Sequence, residues 1–66
     1  PHIHAEYNGY KAIIDIQEAS VISGYLPGRQ LKIVLAWCVM YQDELMQNWE
    51  LVKDGRKPNQ VPPMKK

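Results

Sequence analysis

The chain has 66 residues, a net charge of +1 and 45% apolar residues, which allows one domain with a core worth no more than roughly 3–5 kcal/mol unless a disulfide, a metal or a partner adds to it. Cys38 is the single cysteine, so an internal disulfide is excluded and a reducing compartment such as the cytoplasm is expected. No run approaches the ~20 apolar residues of a membrane span, and no signal peptide is visible.

The chain opens PHIHAEY at Pro1 rather than at methionine, as a trimmed or processed chain with residues upstream would. Polar and apolar residues alternate through this stretch, which reads as a strand with one buried and one wet face. Asn8-Gly9 is a strong hairpin signal, because a type I′ turn needs positive φ at both central residues. A two-residue turn there sets Tyr7 opposite Tyr10, Glu6 opposite Lys11, Ala5 opposite Ala12, Ile3 opposite Ile14 and His2 opposite Asp15. One face then carries Ile3, Ala5, Tyr7, Tyr10, Ala12, Ile14 and Ile16, and the other pairs Glu6 with Lys11 and His2 with Asp15. A slip of one residue would lose both features. Residues 18–20 form a loop, and Val21–Leu26 reads as a third strand with Ile22, Gly24 and Leu26 facing the core. Gly24 would leave room for close packing over the sheet.

Pro27 suits the start of a helix, and the pattern stays helical to about Asp54. Leu31, Val34, Leu35, Cys38, Tyr41, Leu45, Trp49 and Val52 fall on one stripe at spacings of three and four, and Gly55 is the stop signal. The expected fold is α+β: a three-stranded antiparallel sheet in β-β-β-α order with one long helix packed on one face. Residues 1–54 form the single domain, and residues 55–66 form an extended basic tail with three prolines. The tail is mobile unless Val61 or Met64 docks.

A helix over residues 28–53 would measure roughly 39 Å, against about 24 Å for seven-residue strands. Leu45, Trp49 and Val52 would overhang the sheet, and a second apolar patch, roughly 150° away around the helix, carries Ile33, Trp37, Met40 and Leu51. Apolar surface of this kind marks a contact. A second chain, most simply by two-fold symmetry, would cover it, with Ile33, Trp37, Met40, Leu45 and Trp49 carrying the contact. The competing arrangement is a kinked helix that folds back, or a sheet extended by another strand.

The run PHIHAEY, then AIIDI, then GYLP, then a helix with a tryptophan that closes DELMQNWE, resembles Domain of Unknown Function 4160, a family of small bacterial proteins. The matching positions are Pro1, His2, His4, Ala5, Glu6 and Tyr7, then Gly24, Leu26 and Pro27, then Trp37, Glu44, Leu45, Asn48 and Trp49. Members often carry a further strand before P-H-x-H, arginine at the place of Gly28, and glutamate and histidine at those of Ala36 and Tyr41. The resemblance implies a cytoplasmic bacterial protein, in an arrangement with a neighbouring small gene that looks like a toxin–antitoxin or regulatory pair. It implies no established reaction.

Three functional readings follow. The first is an interaction protein, forming a homodimer or a heteromer with a neighbouring small protein. The second is a metal-binding module, since His-x-His on one strand puts two imidazoles on one side. His2 and His4, with Glu6 or Asp15 as further ligand, suit zinc or another divalent transition metal; Asp15 could instead orient His2. The third is a nucleic-acid binder. Residues 1–52 carry three basic and six acidic residues, a charge of −3, whereas residues 53–66 carry five basic and one acidic, a charge of +4. Such a tail, with Arg29 or Lys32, can meet phosphates. Catalysis is not indicated: Cys38 sits mid-stripe as a small hydrophobe, Ser20 and Ser23 lack a base at a recognisable spacing, and glycine-rich phosphate loops are absent.

Overall fold

In the computed structural model, which describes residues 1–61, three strands precede two helices: β1 (His2–Tyr7), β2 (Tyr10–Asp15), β3 (Ser20–Gly24), α1 (Gly28–Met40) and α2 (Gln42–Lys53). Asn8 and Gly9 take φ of 48° and 85°, the backbone that a type I′ turn demands. The hairpin register they impose is the expected one throughout, from Tyr7 opposite Tyr10 to His2 opposite Asp15. The sheet order is β1-β2-β3, antiparallel throughout, so β1 and β3 are its edges.

Ala12, Ile14 and Ile16 form the buried floor of the core, and Leu26, Val34, Cys38 and Leu45 cover them. Ile3, Ala5, Leu31, Leu35, Trp49 and Val61 pack around this cluster half-buried. Tyr7 and Tyr10, expected on the same face, stay exposed. Tyr10 instead meets Tyr25 edge-on, with ring centroids 5.5 Å apart.

The third strand differs from expectation. The ladder runs from Ile13 opposite Ser23 directly to Ile14 opposite Val21, so Ile22 is the extra residue of a β-bulge. Ile22 is consequently 58% exposed rather than in the core. Gly24 has φ +86°, and a Cβ there would overlap the Lys11 carbonyl oxygen and sit 2.9 Å from the Ala12 Cα. What crowds Gly24 is therefore the neighbouring β2 backbone, not a group packed over the sheet as expected, and Tyr25 N–H donates to the Lys11 carbonyl at 2.9 Å.

The single long helix is also corrected: two helices meet at Tyr41, whose φ of −114° and ψ of 25° are not helical. Tyr41 N–H still donates to the Trp37 carbonyl at 3.0 Å, and its own carbonyl accepts Leu45 N–H at 2.9 Å. The joint is thus a bend with its hydrogen bonds kept. Neither proline nor glycine stands there, so the cause is tertiary. The Gln42 amide donates to the carbonyls of Ile16 (3.1 Å) and Gln17 (2.6 Å), tying the start of α2 to the turn after β2. That bend brings Leu45 to 7% exposure and Trp49 onto the core margin, so neither overhangs; Val52 does remain 55% exposed. The longest dimension of the molecule is 32 Å, shorter than the roughly 39 Å of the unbroken rod.

Gly55, with φ +75°, ends α2 in the pattern of a Schellman cap. Gly55 N–H donates to the Val52 carbonyl, and Arg56 N–H to that of Leu51. The chain then returns to α2: Asn48 donates its side-chain amide to the Asn59 carbonyl and accepts Asn59 N–H, both at 2.7 Å. Val61 docks against the core, whereas Met64 lies outside the described residues.

Two outcomes follow. Gly24→Ala should cost about 2 kcal/mol or more of unfolding free energy, while Gly28→Ala, where a Cβ meets nothing within 4 Å, should be neutral or stabilising by about 0.5 kcal/mol; urea unfolding of the pair reads the difference. Asn48→Ala should free residues 56–61 at a cost of about 1 kcal/mol, seen as faster tryptic cleavage after Arg56 with helix content unchanged.

Candidate functional site

β1 supplies the residues that looked chemical. Ile3 and Ala5 are packed against the core and His4 and Glu6 are exposed, as the two-residue period of a strand requires, while His2 at the strand end reaches α2. His2 is half-buried, and its ring lies 4.8 Å from that of Trp49 and 5.4 Å from that of His4. The start of β1 and the N-W pair of α2, distant in sequence, therefore meet in space. Glu6 forms its expected cross-strand pair with Lys11, at 3.8 Å and well exposed, which is worth under about 1 kcal/mol.

The expected ligand set does not assemble as drawn. Asp15, opposite His2 in the ladder, turns its carboxylate to accept Gln17 N–H at 2.9 Å, closing the turn after β2. Among the described residues, no group of three or more His, Cys, Asp or Glu side chains is placed to hold a metal ion. His2, His4, Glu6 and Asp15 share a strand pair, but their side chains serve different neighbours.

The interface candidates fall in two groups. Leu45 and Trp49 are largely taken up by the fold. Ile33 and Trp37 are half-buried along α1, with Trp37 5.9 Å from the Tyr41 ring, and Met40 is 71% exposed. Ile33 and Trp37 form one wall of a groove of about 580 Å³ whose other wall is β1. Ile3, Ala5 and Leu26 add apolar lining, and Arg29 and Glu6 are the charged residues that line it. The groove exists because α1 packs over β2 and leaves the outer side of β1 uncovered. Sequence periodicity pointed to Ile33 and Trp37 but not to Leu26, Arg29 or Gln30, since a groove depends on where a helix ends up, not on its own pattern.

The remaining candidates resolve simply. Cys38 is fully buried in the core, and burial pushes its thiol pKa up, away from the nucleophilic thiolate. Arg29, Lys32, Lys53, Arg56 and Lys57 are exposed, with Lys53 3.8 Å from Glu50; Lys65 and Lys66 lie outside the described residues. No helix among the described residues is long and apolar enough to cross a membrane.

Residues 1–50 match the family described as Domain of unknown function (DUF4160). No curated protein and no solved structure matches the chain.

The buried thiol makes a checkable statement. Cys38 should react with Ellman's reagent at least a hundredfold more slowly in the folded protein than in urea. Because its folded pKa is raised, the neutral thiol favours folding below the ordinary thiol range, and that stability should be lost as pH rises through it. Cys38→Ala should flatten the alkaline decline in melting temperature.

Proposed function

The chain belongs to the DUF4160 family, and we propose that it is an interaction protein that works by association. Its partner is a second copy or the product of a neighbouring small gene, in a toxin–antitoxin-like or regulatory pair in the bacterial cytoplasm. The observation that carries this reading is the groove between β1 and α1, where Ile33, Trp37, Ile3 and Ala5 hold apolar surface open beside a strand with no neighbouring strand on its outer side among the described residues. Surface of this kind, apolar at its centre with charged residues in its lining, is the composition of a protein contact. The core supports the same view: among the described residues the largest side chains wholly removed from water are Ile14, Ile16 and Cys38, a small reserve for a free-standing domain.

Nothing in the geometry favours the metal or nucleic-acid readings over this one. Among the described residues the strand histidines lack a convergent third ligand, and the described part of the basic segment is folded back through Asn59 and Val61 rather than presented as an arm.

Light scattering at micromolar concentration, alone and after co-expression with the adjacent gene product, tests the proposal. The expected result is a stable complex of defined stoichiometry in at least one case. Ile33→Glu should weaken it at least tenfold with far-UV circular dichroism unchanged. A monomer of 7.7 kDa in both cases would overturn the reading.

A further inference from the structure

The outer edge of β1 has a readable hydrogen-bonding code. Ile16 N–H donates to the Pro1 carbonyl at 3.1 Å, so Pro1 and Ile16 are a hydrogen-bonded pair of the β1–β2 ladder. Such pairs alternate along an antiparallel ladder. Ile3, Ala5 and Tyr7 therefore spend their backbone groups on β2, through Ile14, Ala12 and Tyr10. The N–H and C=O groups of His2, His4 and Glu6 point the other way, to the free edge. That Lys11, opposite Glu6, turns its carbonyl to Tyr25 N–H on the β3 side fits the same alternation.

An uncovered edge of this kind is a template for another strand, and β1 is complementary to itself. A two-fold axis between two antiparallel strands stands normal to the sheet and passes through a residue and its own copy. Core-facing residues then meet core-facing residues. With His4 on the axis, His2 lies opposite Glu6 of the second copy, Ile3 opposite Ala5, and Glu6 opposite His2. This register uses all three outward-pointing residues on both strands and makes about six backbone hydrogen bonds. Placing Ala5 or Ile3 on the axis makes about four, and placing Glu6 there sets two carboxylates face to face.

Side chains fit this register; placing Ala5 on the axis would also pair His4 with Glu6, so the hydrogen-bond count is what selects between the two. In this register each Glu6, already beside Lys11, stands opposite a His2 across the new strand pair. On the helix face, Ile3 and Ala5 of the two copies meet, and the two grooves, walled by Ile33 and Trp37, open onto one another.

We propose that the groove and the β1 edge together take β1 of a second copy of this chain, with His4 on the two-fold axis, joining two three-stranded sheets into one of six strands. This rests on the association reading above and names its partner and register.

His4→Pro is the direct test, since it deletes an N–H that the β1–β2 ladder does not use, and proline is tolerated on an edge strand in that position. Sedimentation velocity with the 66-residue protein under reducing conditions should give twice 7.7 kDa for the wild type and 7.7 kDa for His4→Pro, with circular dichroism unchanged. A charge swap reads the register without proline. Glu6→Lys should weaken the dimer roughly tenfold by removing both cross-axis pairs, and His2→Glu combined with Glu6→Lys should restore it. A wild-type monomer, a His4→Pro dimer, or a double variant no tighter than Glu6→Lys would each overturn the proposal. If only Ile33→Glu dissociates the complex, association stands and the strand pairing falls.

Discussion

The two-residue turn at Asn8-Gly9 is the constraint on which the rest of the molecule depends. Its positive φ angles leave one register for β1 against β2, and that register decides three things together. It puts Ala12, Ile14 and Ile16 on one face as a floor for the helices. It puts His2, His4 and Glu6 on the other. It also decides which backbone groups of β1 are spent on β2 and which face outward. A shift of one residue would exchange all three assignments, so the core and the outer edge are consequences of the same short turn.

The second constraint is the size of the sheet. Strands of five or six residues cannot floor a helix of some seven turns. The chain meets this by bending at Tyr41 rather than by leaving the helix bare. Local propensity offers no reason for a break in VMYQDE, and each residue there would continue a helix acceptably. The gain is tertiary. Gln42 satisfies two carbonyls at the end of the sheet, and the turned α2 lays Leu45 and Trp49 where they close the core and meet His2. The bend thereby removes most of the overhang that first suggested a partner. The surface that stays open lies instead between β1 and α1, nearer Ile33 than Val52.

What the sequence made legible follows the range of each interaction. The hairpin, its register and its core face rest on contacts within fifteen residues, and they were readable from alternation and one dipeptide. The helical stripe was equally plain, because Val34, Cys38 and Leu45 follow helical spacing whether or not the helix bends. The bulge that ejects Ile22 was not readable. It lies between Gly24, held at φ +86° against the Lys11 backbone, and the turn before Ser20, a shift in register that alternation does not reveal. Nor was the bend at Tyr41 readable, since its cause is a glutamine reaching a carbonyl 26 positions away. The candidate site divides the same way. The edge strand and its polar face were visible in PHIHAEY, whereas the groove needed the placement of α1, and Asp15 was lost from the expected set to a purely local contact with Gln17.

These placements bear on why a strand would carry histidine, histidine and glutamate on its wet face. A ligand cluster requires convergence, and the side chains diverge: one imidazole packs on Trp49, the carboxylate pairs with Lys11, and Asp15 turns away. An edge strand has another requirement, which is to avoid indiscriminate pairing. Polar residues of opposite charge character at both ends of a short strand help to meet it, because the register with His4 on the axis opposes His2 to Glu6 at both ends, whereas the one with Glu6 on the axis opposes two carboxylates. On that argument the alternation in PHIHAEY is a specificity device for a single strand partner, and the apolar groove beside it contributes the affinity that so short an edge lacks.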